Sequence, residues 1–221
     1  MKLSQAMAER HSCRSFLDIP VDAVIISSLV AMAQRSPSWG NTQPWRIWVA
    51  GGSVALSIRQ GFVDLARSGR PPHPDIPMPL VFEGELKARY VEIGKSVFAV
   101  LGIDRHDEEK RNAHRDNNCN AFGAPVLVYL TLPEGQSSYA MLDAGAFINA
   151  FCLAAADLGV ATCIQATLAH YPDIVRLHLP IPSEERIVVG VALGYADPAS
   201  DINRFRSTRE PVETMLTFTG F

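Results

Sequence analysis

The chain has 221 residues, 48% of them hydrophobic and 19% charged, which suits a well-buried globular core and lies far from the composition of a disordered chain. A formal net charge of -3 leaves no overall cationic field for nucleic acid, and the longest apolar stretch, around residues 144–156, is too short and too interrupted for a membrane span. The first residues lack the apolar run of a secretory signal, and Cys13, Cys119, Cys152 and Cys163 form no Cys-x-x-Cys pair, so a cytoplasmic protein with free thiols and no zinc or other metal site is expected.

After Pro20, Val21, Ile25, Leu29 and Met32 recur at helical spacing, and Ser36-Pro37-Ser38-Trp39-Gly40-Asn41 then breaks the pattern, which predicts a helix followed by a loop. Two β-prone runs, residues 45–50 and 54–58, flank Gly51-Gly52 and predict two strands joined by a tight turn. Residues 61–79 hold Pro71, Pro72, Pro74, Pro77 and Pro79, too many for regular structure; they form an extended excursion, either a substrate-side flap or a surface loop. Leu86, Tyr90, Ile93, Val97 and Leu101 predict an amphipathic helix over 83–102 with one face buried, and the charged and amide residues of 104–118 predict a solvated helix or loop.

A strand at 125–131 is followed by a long helix at 139–158, apolar on most of its circumference, which belongs in a core or at a subunit interface. Gly159 ends it; strands at 160–164 and 186–193 flank a short helix at 172–179. Beyond Asp197 the tail has no core of its own, and a partner subunit is the simplest surface for it. One α/β or α+β layered domain over residues 1–221, built around one sheet, follows.

Gly-x-Gly-x-x-Gly, the phosphate loop Gly-x-x-x-x-Gly-Lys-Ser/Thr, His-Glu-x-x-His and Gly-x-Ser-x-Gly are all absent, and the carboxylate pairs Glu83/Glu85 and Glu184/Glu185 sit in polar, solvated contexts. Two segments carry chemistry instead. In Arg10-His11-Ser12-Cys13-Arg14, two guanidinium forks, an imidazole and a hydroxyl can wrap a phosphate, although two arginines near a terminus also read as merely solvated. In the segment from Ser36 to Trp45, hydroxyl, amide and indole groups held between prolines suit the polar edge of a heteroaromatic ring, or else cap an ordinary helix-to-strand loop.

Together, the Arg-x-Ser-x-Arg-x-Phe pattern of residues 10–16 and Pro-Ser-x-x-Asn-x-Gln-Pro-Trp at 37–45 resemble the nitroreductase family of FMN flavoproteins, especially its nitrobenzoate-reductase-like branch. The likeness continues in Phe122-Gly123-Ala124-Pro125, Asp143-Ala144-Gly145, Leu158-Gly159-Val160, the stretch from Gly190 to Tyr195, and the basic tail from Asn203 to Pro211. It implies a three-layer α-β-α fold with one central mixed sheet, an extended C-terminal tail, and a homodimer with FMN sites at the subunit interface. By the same resemblance Arg10, His11, Ser12 and Arg14 hold the phosphate and one edge of the flavin, and Pro37, Ser38, Trp39 and Asn41 reach it from the other subunit. Gln165 and Ala166 lie near its reactive edge, and Arg206 and Arg209 serve the phosphate, with the tail register open between them.

The implied activity is ping-pong reduction of nitroaromatics, quinones or similar small acceptors by NADPH or NADH, with no protein acid or nucleophile expected. A flavin-binding protein without turnover, a reductive dehalogenase and an enone reductase are the alternatives. Gln165 stands where many relatives carry an acidic residue, and Trp39-Gly40 where others have smaller hydroxyl residues.

Overall fold

Every side chain from Val126 to Leu132 is buried, a pattern that belongs to a strand covered on both faces. The computed structural model describes residues 1–79 and 81–221. This segment is β3 (Val126–Pro133) of a five-stranded sheet that also contains β1 (Phe16–Leu17), β2 (Arg46–Gly51), β4 (Ala161–Gln165) and β5 (Glu185–Ala196). β5 pairs with β3 along one edge and with β4 and then β1 along the other, while β2 closes the far side of β3. All of these ladders are antiparallel. Among the described residues the expected mixed sheet therefore reduces to an antiparallel one with a single parallel bridge, Ser12 to Thr162.

Alternation along β3 feeds two cores. Leu127 and Tyr129 face a cluster with Ile58 and Phe62 of α3 (Gly52–Arg67), Cys119 of α5 (Glu108–Cys119) and Val175 of α7 (Pro172–His178). Val126, Val128 and Leu130 face Leu29 of α2 (Ala23–Ala33) and Phe147 and Phe151 of α6 (Ser138–Asp157). Helices on both faces make the three layers that the resemblance implies. α6 is long and apolar enough to cross a membrane, but half of its apolar window is buried inside the fold, where it acts as the central core helix.

Three expectations change, and one helix is added. Residues 54–58 are not a strand but part of α3: Ala55, Ile58 and Phe62, spaced by three and four, are fully buried, and Gly52, at φ 53°, turns the chain out of β2 into a helix. The stripe on α4 (Gly84–Val100) buries only Val97 fully; Leu86 and Tyr90 are exposed, so half of this face looks away from the chain. The tail has a small anchor after all, because Ile202 and Asn203 are buried in a short 3-10 turn, and only then does it run exposed to Phe221. α1 (Leu3–Glu9), which the sequence pattern did not mark, packs against α6.

The proline-rich excursion is fastened to the body of the protein. His73 N–H donates to the His170 carbonyl at 2.9 Å, the Asp75 carboxylate accepts from Arg176 at 2.7 Å and from Ile187 N–H at 2.8 Å, and Arg186 donates to the Asp75 carbonyl. Glu185, expected to be solvated, is buried, with Arg46 at 3.0 Å and the Thr131 hydroxyl as partners.

Candidate functional site

The segment after α1 is laid along the sheet edge rather than left loose. Ser12 bridges Thr162 of β4, Cys13 N–H donates to the Thr162 carbonyl at 2.9 Å, and Phe16 and Leu17 pair with β5. The tail returns to the same place through Asn203. Its side-chain oxygen accepts from Arg14 N–H at 2.9 Å, and its amide donates to the carbonyls of Ser15 at 2.8 Å and Asp197 at 2.9 Å. With Asn203 buried and Arg14 and Ser15 half-buried, this knot brings residues 10–14 and 205–209 together although nearly 190 positions separate them.

Between them opens a cavity of about 440 Å³ lined by Arg10, His11, Ser12, Arg14, Arg206 and Arg209. Among the described residues none of these four arginines has a carboxylate partner. The guanidinium groups of Arg14, Arg206 and Arg209 donate only within their own segments, to the Ser12 carbonyl at 3.3 Å, the Asn203 carbonyl at 2.9 Å and the Ser207 hydroxyl at 2.6 Å. His11 bonds through Nδ1 to the Glu9 carbonyl at 2.7 Å, and its Nε2 is buried without a partner. Burial above all, and then the charges of Arg206, Arg10 and Arg14, push its pKa down against the opposing pull of that carbonyl. Converging guanidiniums with an unpartnered ring nitrogen fit a phosphate dianion, which would supply both the missing counter-charge and the missing hydrogen bond. The residues present therefore fit the phosphate of FMN.

A second cavity of about 340 Å³ shares Ser12, Arg14 and Ile93 with the first, and Gln165 and Ala166 line it from the end of β4. Val97 and Phe98 of α4 and Phe122 give it apolar walls suited to a flat ring. Gln165 donates to the Asn118 side-chain oxygen at 2.6 Å, while its own oxygen is buried and unpartnered. Asn118 in turn donates to the Thr167 hydroxyl at 3.1 Å and holds the loop after β4.

Pro37, Ser38, Trp39 and Asn41 line neither cavity. Their loop sits on the start of α6: Trp39 N–H donates to the buried Asp143 carboxylate at 3.0 Å, and its ring lies 4.6 Å from that of Tyr139. Positive φ at Asn41 and Gln43, with Gln43 N–H donating to the Ser38 hydroxyl at 3.0 Å, shows a fixed conformation even though Trp39 is 65% exposed. Sequence reasoning missed His114 and Asn118, which face the second cavity from a helix whose composition reads as solvated, and it gave Asn203 no role although the tail motif contains it. The proline-rich excursion lines neither cavity.

Comparison with known proteins agrees with this geometry. A 4-nitrobenzoate reductase of Pseudomonas putida is 29% identical over 97% of this chain and 94% of its own length, and one of Nocardioides sp. is 32% identical over 95% and 86%. The FMN- and NADPH-dependent nitroreductase NfnB from Sphigopyxis sp. strain HMH superposes with a TM-score of 0.95 at 30% identity over the whole of both chains. NfnB from Mycobacterium smegmatis, solved in complex with NADPH, superposes at 0.92 with 27% identity over 99% of this chain and all of that one. The sequence model of the nitroreductase family matches residues 7–195, and the chain belongs to that family.

Proposed function

We infer that this protein is an FMN-dependent oxidoreductase that passes hydride equivalents from NADPH or NADH to nitroaromatics, quinones or related small electrophiles, and that it works as a homodimer in the cytoplasm. The observation that carries this reading is the cavity in which four arginines, without carboxylate partners among the described residues, meet the unpartnered nitrogen of His11. Names of relatives supply the direction of the chemistry: nitrobenzoate reduction in two of them and dependence on FMN and NADPH in a near structural neighbour.

Arg10, His11, Ser12, Arg206 and Arg209 hold the phosphate. Arg14 lines both cavities and so offsets negative charge where the ring system begins. Gln165 and Ala166 border the far part of the ring cavity, whose walls at Val97, Phe98 and Phe122 limit access of water. Bound there, FMN would supply the hydride-transfer chemistry that links the nicotinamide to the acceptor. Pro37, Ser38, Trp39 and Asn41, fixed in shape yet remote from the cavities of their own chain, complete the site of a second copy. Exposed apolar side chains on α4 and the tail, Leu86, Tyr90, Met215 and Phe218 among them, are the surface such a copy would cover.

An absorbance spectrum of the purified protein, taken before and after anaerobic addition of NADPH or NADH, tests the reading. A flavin band that bleaches with either donor is expected. No band after FMN is supplied, or a band that neither donor bleaches, overturns it.

A further inference from the structure

His114 stands on α5, among charged residues, yet its ring turns inward to the cavity of Arg14, Gln165 and Ala166. Phe98 holds it edge-on at 5.6 Å and 87°, and the Phe122 ring lies 6.4 Å away. Among the described residues no protein group hydrogen-bonds either ring nitrogen, and neither nitrogen is enclosed without a partner, so both remain available to a ligand. The other side chains that line this cavity and can carry charge are Arg14 and the Cys163 thiol of β4; α4 and the loop at 165–167 contribute none. Burial pushes the Cys163 thiol up to about 11, out of reach of acid-base work near neutrality. Burial first and Arg14 second hold the His114 imidazolium below the usual histidine range, which makes it a stronger acid than an ordinary one.

Reduction of a nitro group to a nitroso group by NAD(P)H breaks one N–O bond and oxidises the nicotinamide by two electrons. The donor supplies hydride, one further proton is consumed, and the oxygen leaves as water. We propose that His114 donates that proton to the acceptor oxygen. The neutral ring then regains a proton from solvent. This inference rests on the function proposed above and departs from the expectation that no side chain acts as an acid.

The test uses the FMN-loaded protein and its His114→Gln variant, reduced anaerobically and reoxidised either by nitrobenzene or by ferricyanide, which takes electrons without a proton. In the unaltered protein the nitrobenzene rate should rise as pH falls, levelling below the ordinary histidine range. His114→Gln should lower that rate about 100-fold at the acid end, flatten its pH dependence and leave the ferricyanide rate in place. Equal loss with both oxidants, or a pH dependence that survives, overturns the proposal. Should His114→Gln shed FMN, His114→Phe, whose ring keeps the aromatic contacts with Phe98 and Phe122, carries the same comparison. Independently of turnover, the His114 ring signal in proton NMR should titrate below the ordinary range and move when benzamide is added; an unmoved signal counts against the role. If the unaltered protein takes up no FMN, the proposed function fails instead.

Discussion

Two arginine clusters stand near opposite ends of β5 and differ in one respect. Near its start, Arg176 meets Asp75 and Arg46 meets Glu185, so each cation has its carboxylate within the chain. Near its end, Arg10, Arg14, Arg206 and Arg209 converge with none among the described residues. Like charges gathered without compensation raise the free energy of the folded chain, so the second cluster makes physical sense only with a ligand, whereas the first is complete in itself. Pairing, more than the count of arginines, separates a binding site from a structural clamp.

The largest expected effect breaks the unpaired cluster. Charge-assisted hydrogen bonds contribute about 1.5–3 kcal/mol each, so Arg10→Ala with Arg206→Ala should weaken FMN binding by more than about 100-fold while the unfolding midpoint of the flavin-free protein rises or holds, because like-charge repulsion is relieved. A flavin titration measures this, and an unchanged dissociation constant would remove the phosphate role of the cavity. Arg206 bears on His11 and Arg209 does not, so Arg206→Ala alone should cost more affinity than Arg209→Ala.

The converse applies to the clamp. Asp75→Ala strips Arg176 of its partner and Ile187 N–H of its acceptor, both in half-buried surroundings. A loss of about 2–3 kcal/mol in denaturant unfolding is expected, with FMN affinity unaltered. Were the excursion a substrate-side flap, the same change would shift acceptor preference and leave stability alone.

The clamp also marks where sequence reading ran out. Periodicity located α2, α6 and the strands β2 to β5 because each buries a regular stripe or a continuous run, and it located α4 by a stripe of which this chain covers only Val97. It misread residues 54–58, since five β-prone residues cannot be told from one and a half turns of helix until Phe62 and Val63 extend the three-four spacing. Arg10, Ser12, Arg14 and the tail arginines were legible through motif resemblance, and the fold brings them together. His114, Asn118 and the Asp75 contacts were not legible: each depends on a partner distant in sequence, and nothing local in a charged or proline-rich stretch says which side chain turns inward.

A third change probes how the sheet shapes the ring cavity. A Cβ on Gly190 of β5 would stand 2.4 Å from the Cβ of Leu168, in the loop that follows Gln165 and Ala166. Gly190→Ala must push that loop off the sheet, at a cost of about 1–3 kcal/mol, and should move the flavin absorbance band of the loaded protein. The same substitution at Gly145, which meets nothing within 4 Å, should do neither.

The smallest effect is one of pH, and it joins stability to the unpaired cluster. His11, His114 and His170 all have pKa values lowered in the folded chain, each chiefly by burial. A group whose folded pKa lies below its unfolded one binds more protons when unfolded, so stability present above about pH 6.5 is lost as pH falls through the folded values. Thermal unfolding of the flavin-free protein between pH 8 and pH 5 should show this decline. With a phosphate dianion in the cavity, the charged form of His11 gains a partner for Nε2 and its share of the loss should vanish, while the shares of His114 and His170 remain. A flavin-loaded protein with a shallower acid decline than the flavin-free one is therefore expected. Parallel declines would mean that no anion sits against His11, and the arginines of the cavity would then need another counter-charge.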